Sequence, residues 1–286
     1  MTATLDTDLV IVGAGSAGCV LAHRLSARQD LDVTLLEAGG ADEHPWIRVP
    51  LGYARTIADP RVNWCYTSAP VGTLDGRTIA YPLGRTLGGS SAINGLVWLH
   101  GHPADYACWA QAAGDAWAWP AMRAALRSLE AAAPAIAGDR GRDGPQPVSC
   151  AATRHPRVRA ALASAAAAGL PIDPDPGAGC AFGIGPVQVT VRHGQRVSAA
   201  HAFLRRARSR PNLRVLTGAR VHRIALGDGR ATGVEAVTGS GGLQVRARRG
   251  VVLAAGVVHS PQLLMLSGIG PPEALRSFGL EVRVAA

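Results

Sequence analysis

One stretch near the start of the chain, residues 8–40, restricts the possible folds more than any other. It opens with an uninterrupted apolar run at residues 9–12, which predicts a strand that is buried on both faces. Gly13, Gly15 and Gly18 follow as G-x-G-x-x-G, and a helical pattern continues from there. A strand that ends in this glycine motif and leads into a helix is typical of a nucleotide-binding α/β domain.

A second apolar run, residues 33–36, ends in Glu37, about twenty residues beyond the last glycine. An acidic residue at this place accepts hydrogen bonds from ribose hydroxyls and disfavours a 2′-phosphate, so NADP is the least expected ligand. Strand, helix, second strand and acid are in register, which predicts dinucleotide binding; the alternative is a glycine-rich turn in an ordinary α/β unit. The motif by itself leaves FAD and NAD open.

Each position of the motif has a mechanical role in such a site. Gly13 permits the tight turn, Gly15 lets the backbone approach a pyrophosphate, and Gly18 lets the helix pack close to the strand. The pyrophosphate is expected at the helix N-terminus, where free N–H groups and the helix dipole favour negative charge. Ser16 lies in the same turn and is interpreted as a phosphate contact, since the sequence contains no G-x-S-x-G nucleophile elbow.

Composition excludes several function classes. The 286 residues include no lysine, which excludes a Schiff-base lysine and a P-loop lysine. The net charge of +9 leaves nucleic-acid binding open, but the densest arginine cluster, residues 205–210, has no interleaved aromatic residues for base stacking. We therefore favour a solvated arginine-rich surface and expect no nucleic-acid partner. The five cysteines have no C-x-x-C spacing, so we expect no metal site and no redox pair.

The sequence also predicts where the protein works. The first strand begins by residue 9, which leaves no room for a signal peptide, and no apolar run reaches the roughly eighteen residues of a membrane span. We therefore expect a cytoplasmic protein with reduced cysteines and no membrane span.

The remaining secondary structure is predicted coarsely. Residues 41–83 show no clear period and predict a long ordered loop of the kind that covers a ligand. Near the C-terminus, the pattern predicts a hairpin strand at 243–248, a separate buried strand at 250–255, and a helix from Ser260 with Pro261 in its first turn. His23, on the first helix, is interpreted as a surface side chain.

Residues 84–101, GRTLGGSSAINGLVWLHG, form a second informative stretch. Four glycines and two serines fall within its first twelve residues, and small residues let several backbone N–H groups converge on an anion or a ring edge. Asn94 offers both a donor and an acceptor, which suits the edge of a polar heterocycle. The alternative is a plain flexible loop.

The stretch GRTLGGSSAINGLVWLHGHPADY resembles the first signature of the glucose–methanol–choline (GMC) oxidoreductases. Residues 256–270, GVVHSPQLLMLSGIG, resemble the second signature of that family, with a departure at Val257, where a small residue is usual. The resemblance covers residues 8–280 and is to choline dehydrogenase-like and alcohol dehydrogenase-like members. It extends only to the N-terminal portion of a full member.

The resemblance implies an α/β fold: an FAD-binding, Rossmann-like three-layer domain with part of an inserted α+β substrate-binding subdomain. It implies FAD-binding residues 1–110 and 196–286, a partial substrate-binding subdomain at 111–195, and a catalytic region beyond the chain. It places Val221 beside the adenine, although an ordinary buried strand valine is equally consistent with the sequence. The cofactor-binding residues predicted from the motifs and the resemblance are Gly13, Gly15, Ser16, Gly18, Glu37, Gly84, Thr86, Gly88, Gly89, Asn94, Gly95, Leu96, Val97 and Val221.

The family reaction is the oxidation of an alcohol, in which a histidine takes the hydroxyl proton and hydride passes from carbon to flavin N5. That histidine lies beyond the second signature in family members, so we assign no catalytic base and expect little turnover by this chain alone. Ile93 stands where some relatives carry a histidine that binds the flavin covalently, so we expect non-covalent FAD. The alternatives are a non-catalytic flavin-binding remnant or split half, and an NAD-dependent dehydrogenase. The alcohol, the electron acceptor and the oligomeric state are not readable from the sequence.

Overall fold

The computed structural model of the chain describes residues 2–136, 138–150, 155–173, 175, 177 and 182–286. The chain divides into two compact units, one of Met1–Ile93 with Ser198–Ala286 and one of Asn94–Val197. The sequence predicts boundaries at 110/111 and 195/196. The compact unit that begins at Asn94 is held by its own contacts, for example the indole N–H of Trp98, which donates to Glu130 at 2.9 Å. The assignment of the units to cofactor and substrate stays a prediction.

Strands and helices follow one another along both units. The strands are β1 (Thr2–Val12), β2 (Val33–Leu36), β3 (Tyr66–Thr67), β4 (Ala80–Tyr81), β5 (Glu130–Ala132), β6 (Gln146–Cys150), β7 (Gln188–Val189), β8 (Val191–Arg192), β9 (Gln195–Arg196), β10 (Leu213–Leu216), β11 (Arg220–Gly227), β12 (Arg230–Thr238), β13 (Gly241–Leu253), β14 (Ile269–Gly270) and β15 (Val284–Ala285). The helices are α1 (Ser16–Leu25), α2 (Pro45–Arg48), α3 (Tyr53–Thr56), α4 (Pro103–Ala113), α5 (Trp119–Leu129), α6 (Pro156–Ala167), α7 (Arg205–Ala207), α8 (Gly256–Leu266) and α9 (Pro272–Ser277), with a π-helical turn at Ala200–Leu204.

A six-stranded mixed sheet forms the centre of the first unit, in the order β10-β2-β1-β13-β12-β11. The first four strands in this order, β10, β2, β1 and β13, are parallel to one another. The last two, β12 and β11, are added at one edge and are antiparallel to their neighbours. Val10, Ile11 and Leu35 are completely buried, as expected for parallel strands covered on both faces. The predicted α/β class with a parallel sheet is confirmed.

Two strands of this sheet are longer than predicted. β1 begins at Thr2 and not near residue 9, because residues 2–7 pair with 242–247 of β13 across a register shift between Thr7 and Leu9. The predicted strands at 243–248 and 250–255 are one strand, β13, which runs unbroken from Gly241 to Leu253. Its first half completes the hairpin with β12 and its second half lies beside the buried end of β1.

Two predictions for side chains and helix ends are also wrong. Helix α8 begins at Gly256 and not at Ser260, so Pro261 lies inside the helix. A proline at this position removes one backbone donor from the helical ladder. His23 is half-buried and its ring packs edge-on against Phe203 at 5.8 Å, so it is not a simple surface side chain.

The second unit contains a buried ionic network. Arg140 donates two hydrogen bonds to the carboxylate of Glu130, at 2.7 and 2.9 Å, and one to Asp175 at 2.8 Å. His100 bonds the same carboxylate at 3.0 Å, and Gln188 accepts from Arg140 at 2.6 Å. All five side chains are buried, so the charges are compensated by one another and not by water.

Candidate functional site

The glycine motif forms a turn that only glycine can make. Gly13 has φ +97°, and a Cβ on it would lie 2.6 Å from the carbonyl oxygen of Ala254. A Cβ on Gly18 would lie 1.9 Å from the carbonyl oxygen of Gly13. Helix α1 therefore starts in direct contact with the turn that follows β1, which is the close approach that the sequence predicts for Gly18.

The N-terminus of α1 has unused hydrogen-bond donors. Its N-cap, Gly15, makes no side-chain capping bond, and the first turn holds no acidic residue. Gly15, Ser16 and Ala17 all line a cavity of the first unit. Free N–H groups and the positive end of the helix dipole at a cavity wall make a site for an anion.

The loop at residues 84–89 is bound to this turn. The amide of Gly88 donates to the carbonyl of Ala14 at 2.8 Å. Gly89 has φ +52°, and a Cβ on it would lie 2.8 Å from the Cα of Gly15. A Cβ on Gly84 would lie 2.2 Å from the carbonyl carbon of Gly89. The glycines are thus required by backbone packing, and the alternative of a plain flexible loop is not supported for this part of the stretch.

Glu37 follows β2 and is buried beside the turn. Its Oε2 accepts from the amide of Ala14 at 2.9 Å and its Oε1 accepts from the amide of Gly39 at 2.8 Å. Burial raises the pKa of the Glu37 carboxyl, while the hydrogen bonds from Gly39, Ala14 and Ala38 oppose that shift. Each carboxylate oxygen keeps a second lone pair, so the side chain can still accept from a ligand hydroxyl.

A cavity of about 560 Å³ opens where three parallel strands end together. Val12 pairs with Leu36 and with Leu253, so β1, β2 and β13 finish at one level. This is the carboxyl edge of a parallel sheet, where open α/β sheets bind ligands, and the volume lies in the range of about 300–1,000 Å³ typical of cofactor sites. The predicted site residues that line it are Gly13, Gly15, Ser16, Glu37, Gly84, Gly89 and Val221.

Three predicted residues of the first unit do not line the cavity. Gly18 acts through packing, as described above. Gly88 lies against Ser198 and Ala200, which a Cβ would meet at 3.2–3.4 Å. The hydroxyl of Thr86 donates to the carbonyls of Gly40 and Ala41, at 3.2 and 3.0 Å. These residues hold the loop in place, and their direct contact with a cofactor stays a prediction.

Asn94, Gly95, Leu96 and Val97 belong to the second unit, and their role in the site also stays a prediction. Arg196 donates to the side-chain oxygen of Asn94 at 2.8 Å and to its backbone carbonyl at 2.7 Å. The amide of Leu96 donates to the same side-chain oxygen at 3.0 Å. The oxygen of Asn94 is therefore used by groups of the second unit, which leaves the amide NH₂ as the group to offer to a ligand.

The sequence analysis misses an aromatic group at the cavity. Trp64 and His259 line it, with ring centroids 4.5 Å apart, and Tyr66 lies parallel to Trp64 at 5.8 Å. The hydroxyl of Tyr66 is 2.9 Å from Nε2 of His259. These residues lie in β3, in the segment before it and in α8, so no local pattern joins them.

Five of the described histidines are held by a partner within the structure. His100 is buried against Glu130, and the rings of His102 and His155 cap α4 and α6 by accepting backbone hydrogen bonds. His259 bonds Tyr66, and His222 lies 3.7 Å from Glu235. Each therefore has a partner that accounts for its position.

Neither a metal cluster nor a membrane-spanning helix occurs among the described residues. Among them, no three histidine, cysteine or carboxylate side chains lie close enough to hold a metal ion. The helices within the same ranges are too short or too polar to cross a bilayer.

Comparison with known proteins gave consistent matches. The family model for GMC oxidoreductases matches residues 7–280. The chain is 40% identical to an alcohol dehydrogenase [acceptor] of Pseudomonas putida and 38% identical to an oxygen-dependent choline dehydrogenase of Rhizobium etli, over 96% and 98% of its own length. It spans about half the length of these relatives, 50% and 51%. The crystal structure of pyridoxine 4-oxidase from Mesorbium loti superposes with a TM-score of 0.92 at 36% identity, covering 98% of this chain and 55% of that one.

Proposed function

The chain belongs to the GMC oxidoreductase family, and we propose that it is the FAD-binding half of an enzyme that oxidises the CH–OH group of an alcohol. GMC oxidoreductases are FAD-dependent. The single observation that carries the proposal is the cavity at the ends of β1, β2 and β13. It combines an uncapped helix N-terminus, a glycine turn and a buried carboxylate, which are the features that a ribose–diphosphate needs.

The residues present fit a flavin dinucleotide. The free amides at the start of α1 would hold the diphosphate, because they are unsatisfied and lie at the positive end of the helix dipole. Gly15 and Gly89 line the cavity, and neither carries a side chain that would stand between a diphosphate and the backbone. Glu37 would accept hydrogen bonds from the ribose hydroxyls, and the backbone of Val221 would face the adenine.

The cofactor, when bound, supplies the redox chemistry by accepting a hydride from the alcohol carbon. The chain's own residues bind and orient it. We propose the donor-only Asn94 and the loop through Val97 as further contacts of the cofactor. Substrates are proposed to be small alcohols, in keeping with the alcohol and choline dehydrogenases among the relatives.

We propose that this chain alone has little or no turnover. Alcohol oxidation needs a proton acceptor at the hydroxyl, and the two histidines that line the cavity, His222 and His259, already face Glu235 and Tyr66. A stopped-flow mixture of the FAD-loaded chain with choline or a primary alcohol should leave the flavin absorbance unchanged. Bleaching at ordinary enzymatic rates would contradict this proposal.

We propose that the cofactor is bound without a covalent link. Ile93 carries no nucleophile, and it is buried in an apolar cluster with Ile47, Val62 and Ala92. Acid precipitation of the loaded chain should therefore leave the yellow colour in the supernatant. Colour in the pellet would refute non-covalent binding.

The proposal is tested by reconstitution. The purified chain is mixed with FAD, with NAD and with buffer, desalted, and examined by visible spectroscopy and by chromatography of the released nucleotide. FAD should be retained in a ratio approaching one per chain, and NAD should not. Retention of NAD alone would favour the dehydrogenase alternative, which the family match does not support. Retention of neither would refute the proposed function.

A further inference from the structure

A second cavity, of about 230 Å³, lies in the first unit, and none of the described residues lines both it and the cavity at the ends of β1, β2 and β13. Part of its wall is one face of the helical segment 200–208, which contributes Leu204, Arg205 and Arg208. The rest of the lining includes Asp42, Glu43 and Leu87. The volume is below the roughly 300–1,000 Å³ of sites for drug-sized ligands, so only a small molecule fits.

The acidic side of the second cavity is held by hydrogen bonds between two loops. The amide of Leu87 donates to the carbonyl of Gly40 at 3.0 Å. The hydroxyl of Thr86 donates to the carbonyls of Gly40 and Ala41, at 3.2 and 3.0 Å. Asp42 follows directly in the chain, so its position at the cavity is set by these loop contacts.

The apolar part of the lining is buried. Leu87 and Leu204 are each 1% exposed, and Ala200, which also lines the second cavity, is 4% exposed. An aliphatic group that packs against these side chains would be removed from water, which is favourable.

Charged groups of both signs line the second cavity and do not neutralise one another. In the part of the chain that the structure describes, neither Asp42 nor Glu43 forms an ion pair within 4.0 Å. The side chains of Arg48 and Arg208 form no ion pair or hydrogen bond with described residues either, and Arg205 is the third arginine of the lining. Two carboxylates and three guanidinium groups therefore face the same space, separated by more than the distance of an ion pair.

We propose that the second cavity binds a small zwitterion of the α-amino-acid type. Its carboxylate would bind Arg205 and Arg208, because a guanidinium group matches a carboxylate in charge and in geometry. Its ammonium group would lie against Asp42 and Glu43, and a short aliphatic side chain would pack on Leu87. A simple anion would meet the two carboxylates and a simple cation the three arginines, so a ligand with both charges complements the whole lining. The site is additional to the proposed function and requires no bound FAD.

The test measures binding by isothermal titration calorimetry, with the chain free of FAD. L-valine is the zwitterionic probe, isovalerate lacks its ammonium group, and isobutylamine lacks its carboxylate. The variants are Arg208→Gln and Asp42→Asn, one for each sign of charge. Arg206→Gln is the matched control, because Arg206 is an exposed arginine of α7 that does not line the cavity. Circular dichroism checks the fold of each variant.

We expect L-valine to bind the parent chain at least about tenfold more tightly than isovalerate or isobutylamine. Arg208→Gln and Asp42→Asn should each weaken L-valine binding by about tenfold, and Arg206→Gln should leave it unchanged. Three results would overturn the inference: no saturable L-valine binding up to about 10 mM, equally tight binding of either probe with a single charge, or the same L-valine affinity in the folded cavity variants as in the control. Retention of FAD is a separate measurement, so the proposed function can stand or fail independently of this site.

Discussion

Replacing Gly18 with alanine tests the idea that the site depends on the close approach of α1 to the turn after β1. The added methyl group would lie 1.9 Å from the carbonyl oxygen of Gly13 and 3.0 Å from its carbonyl carbon. Both atoms belong to the backbone, so no side chain can move aside. The backbone of Gly13 cannot move away either, because it is packed against the backbone of Ala254. A Cβ built on Gly13, which has φ +97°, would lie only 2.6 Å from the carbonyl oxygen of Ala254. The start of α1 must therefore move away from the sheet.

The magnitude follows from the overlap. Overpacking by one methyl group costs about 1–3 kcal/mol, and we expect about 3 kcal/mol here because the clash is with fixed backbone on both sides. For a unit of this size, that corresponds to a fall in Tm of about 6–12 °C. Movement of the helix N-terminus also withdraws at least one amide from the diphosphate. A hydrogen bond to a charged group is worth about 1.5–3 kcal/mol, so FAD affinity should fall by about tenfold to a hundredfold.

The assay combines thermal unfolding with an FAD titration of parent and variant. Gly239→Ala is the control, because nothing lies within 4 Å of its Cβ position and no unusual φ is required there. It should leave Tm and FAD affinity near those of the parent. A Gly18→Ala variant that unfolds at the parent temperature and binds FAD as tightly would refute the argument that this contact positions the anion site.

The remaining predictions concern two buried carboxylates. Glu37→Gln leaves the amide of either Ala14 or Gly39 without an acceptor, so calorimetry should show about tenfold weaker FAD binding and chemical denaturation a loss of about 1–3 kcal/mol. Glu130→Gln uncouples Arg140 in the buried network and should cost about 3–5 kcal/mol by denaturation, whereas Asp139→Asn, at an exposed ion pair, should cost under about 1 kcal/mol. Burial alone would raise the pKa of Glu130, but hydrogen bonds from His100 and Arg140 outweigh it and hold the pKa well below the usual 4.5. The stabilisation from the network should therefore be complete above pH 4.5 and be lost as the pH falls below that value. The free energy of unfolding of the parent should then decrease more steeply at acid pH than that of the Glu130→Gln variant, which has no carboxylate at this position to protonate.

The parts of the fold that the sequence predicted well are those with local signals. The β1–α1–β2 unit is set by an apolar run, three glycines and a second apolar run within 40 residues, and the structure has strand, helix and strand in that order. Predictions failed where pairing is non-local. Residues 2–7 are mostly polar, with Leu5 as the one large apolar residue, so nothing nearby indicates that they extend β1 along β13. Arg248 and Arg249, where the first predicted strand ends, lie at a register shift in the pairing with β1, and the strand continues beyond them.

The candidate site shows the same division. The residues of the cavity that the sequence analysis named come from motifs in which spacing itself carries the chemistry, such as Gly13, Gly15 and Glu37. Trp64 and His259 were missed because an aromatic side chain in an irregular loop and a histidine in a helix each suggest an ordinary structural role. Only the fold brings them within 4.5 Å of one another at the cavity wall.

The proposed anion site does not need a lysine. A diphosphate can be held by a basic side chain or by backbone amides, and here the uncapped start of α1 lines the cavity together with Gly89. These groups are positioned by the common level at which β1, β2 and β13 end, since Val12 pairs with both Leu36 and Leu253. Glu37 is positioned by the same register. The anion site and the ribose anchor therefore depend on sheet register and glycine packing more than on any single cationic side chain. Mutations that disturb the glycine packing should lower FAD affinity more than the removal of any one surface arginine.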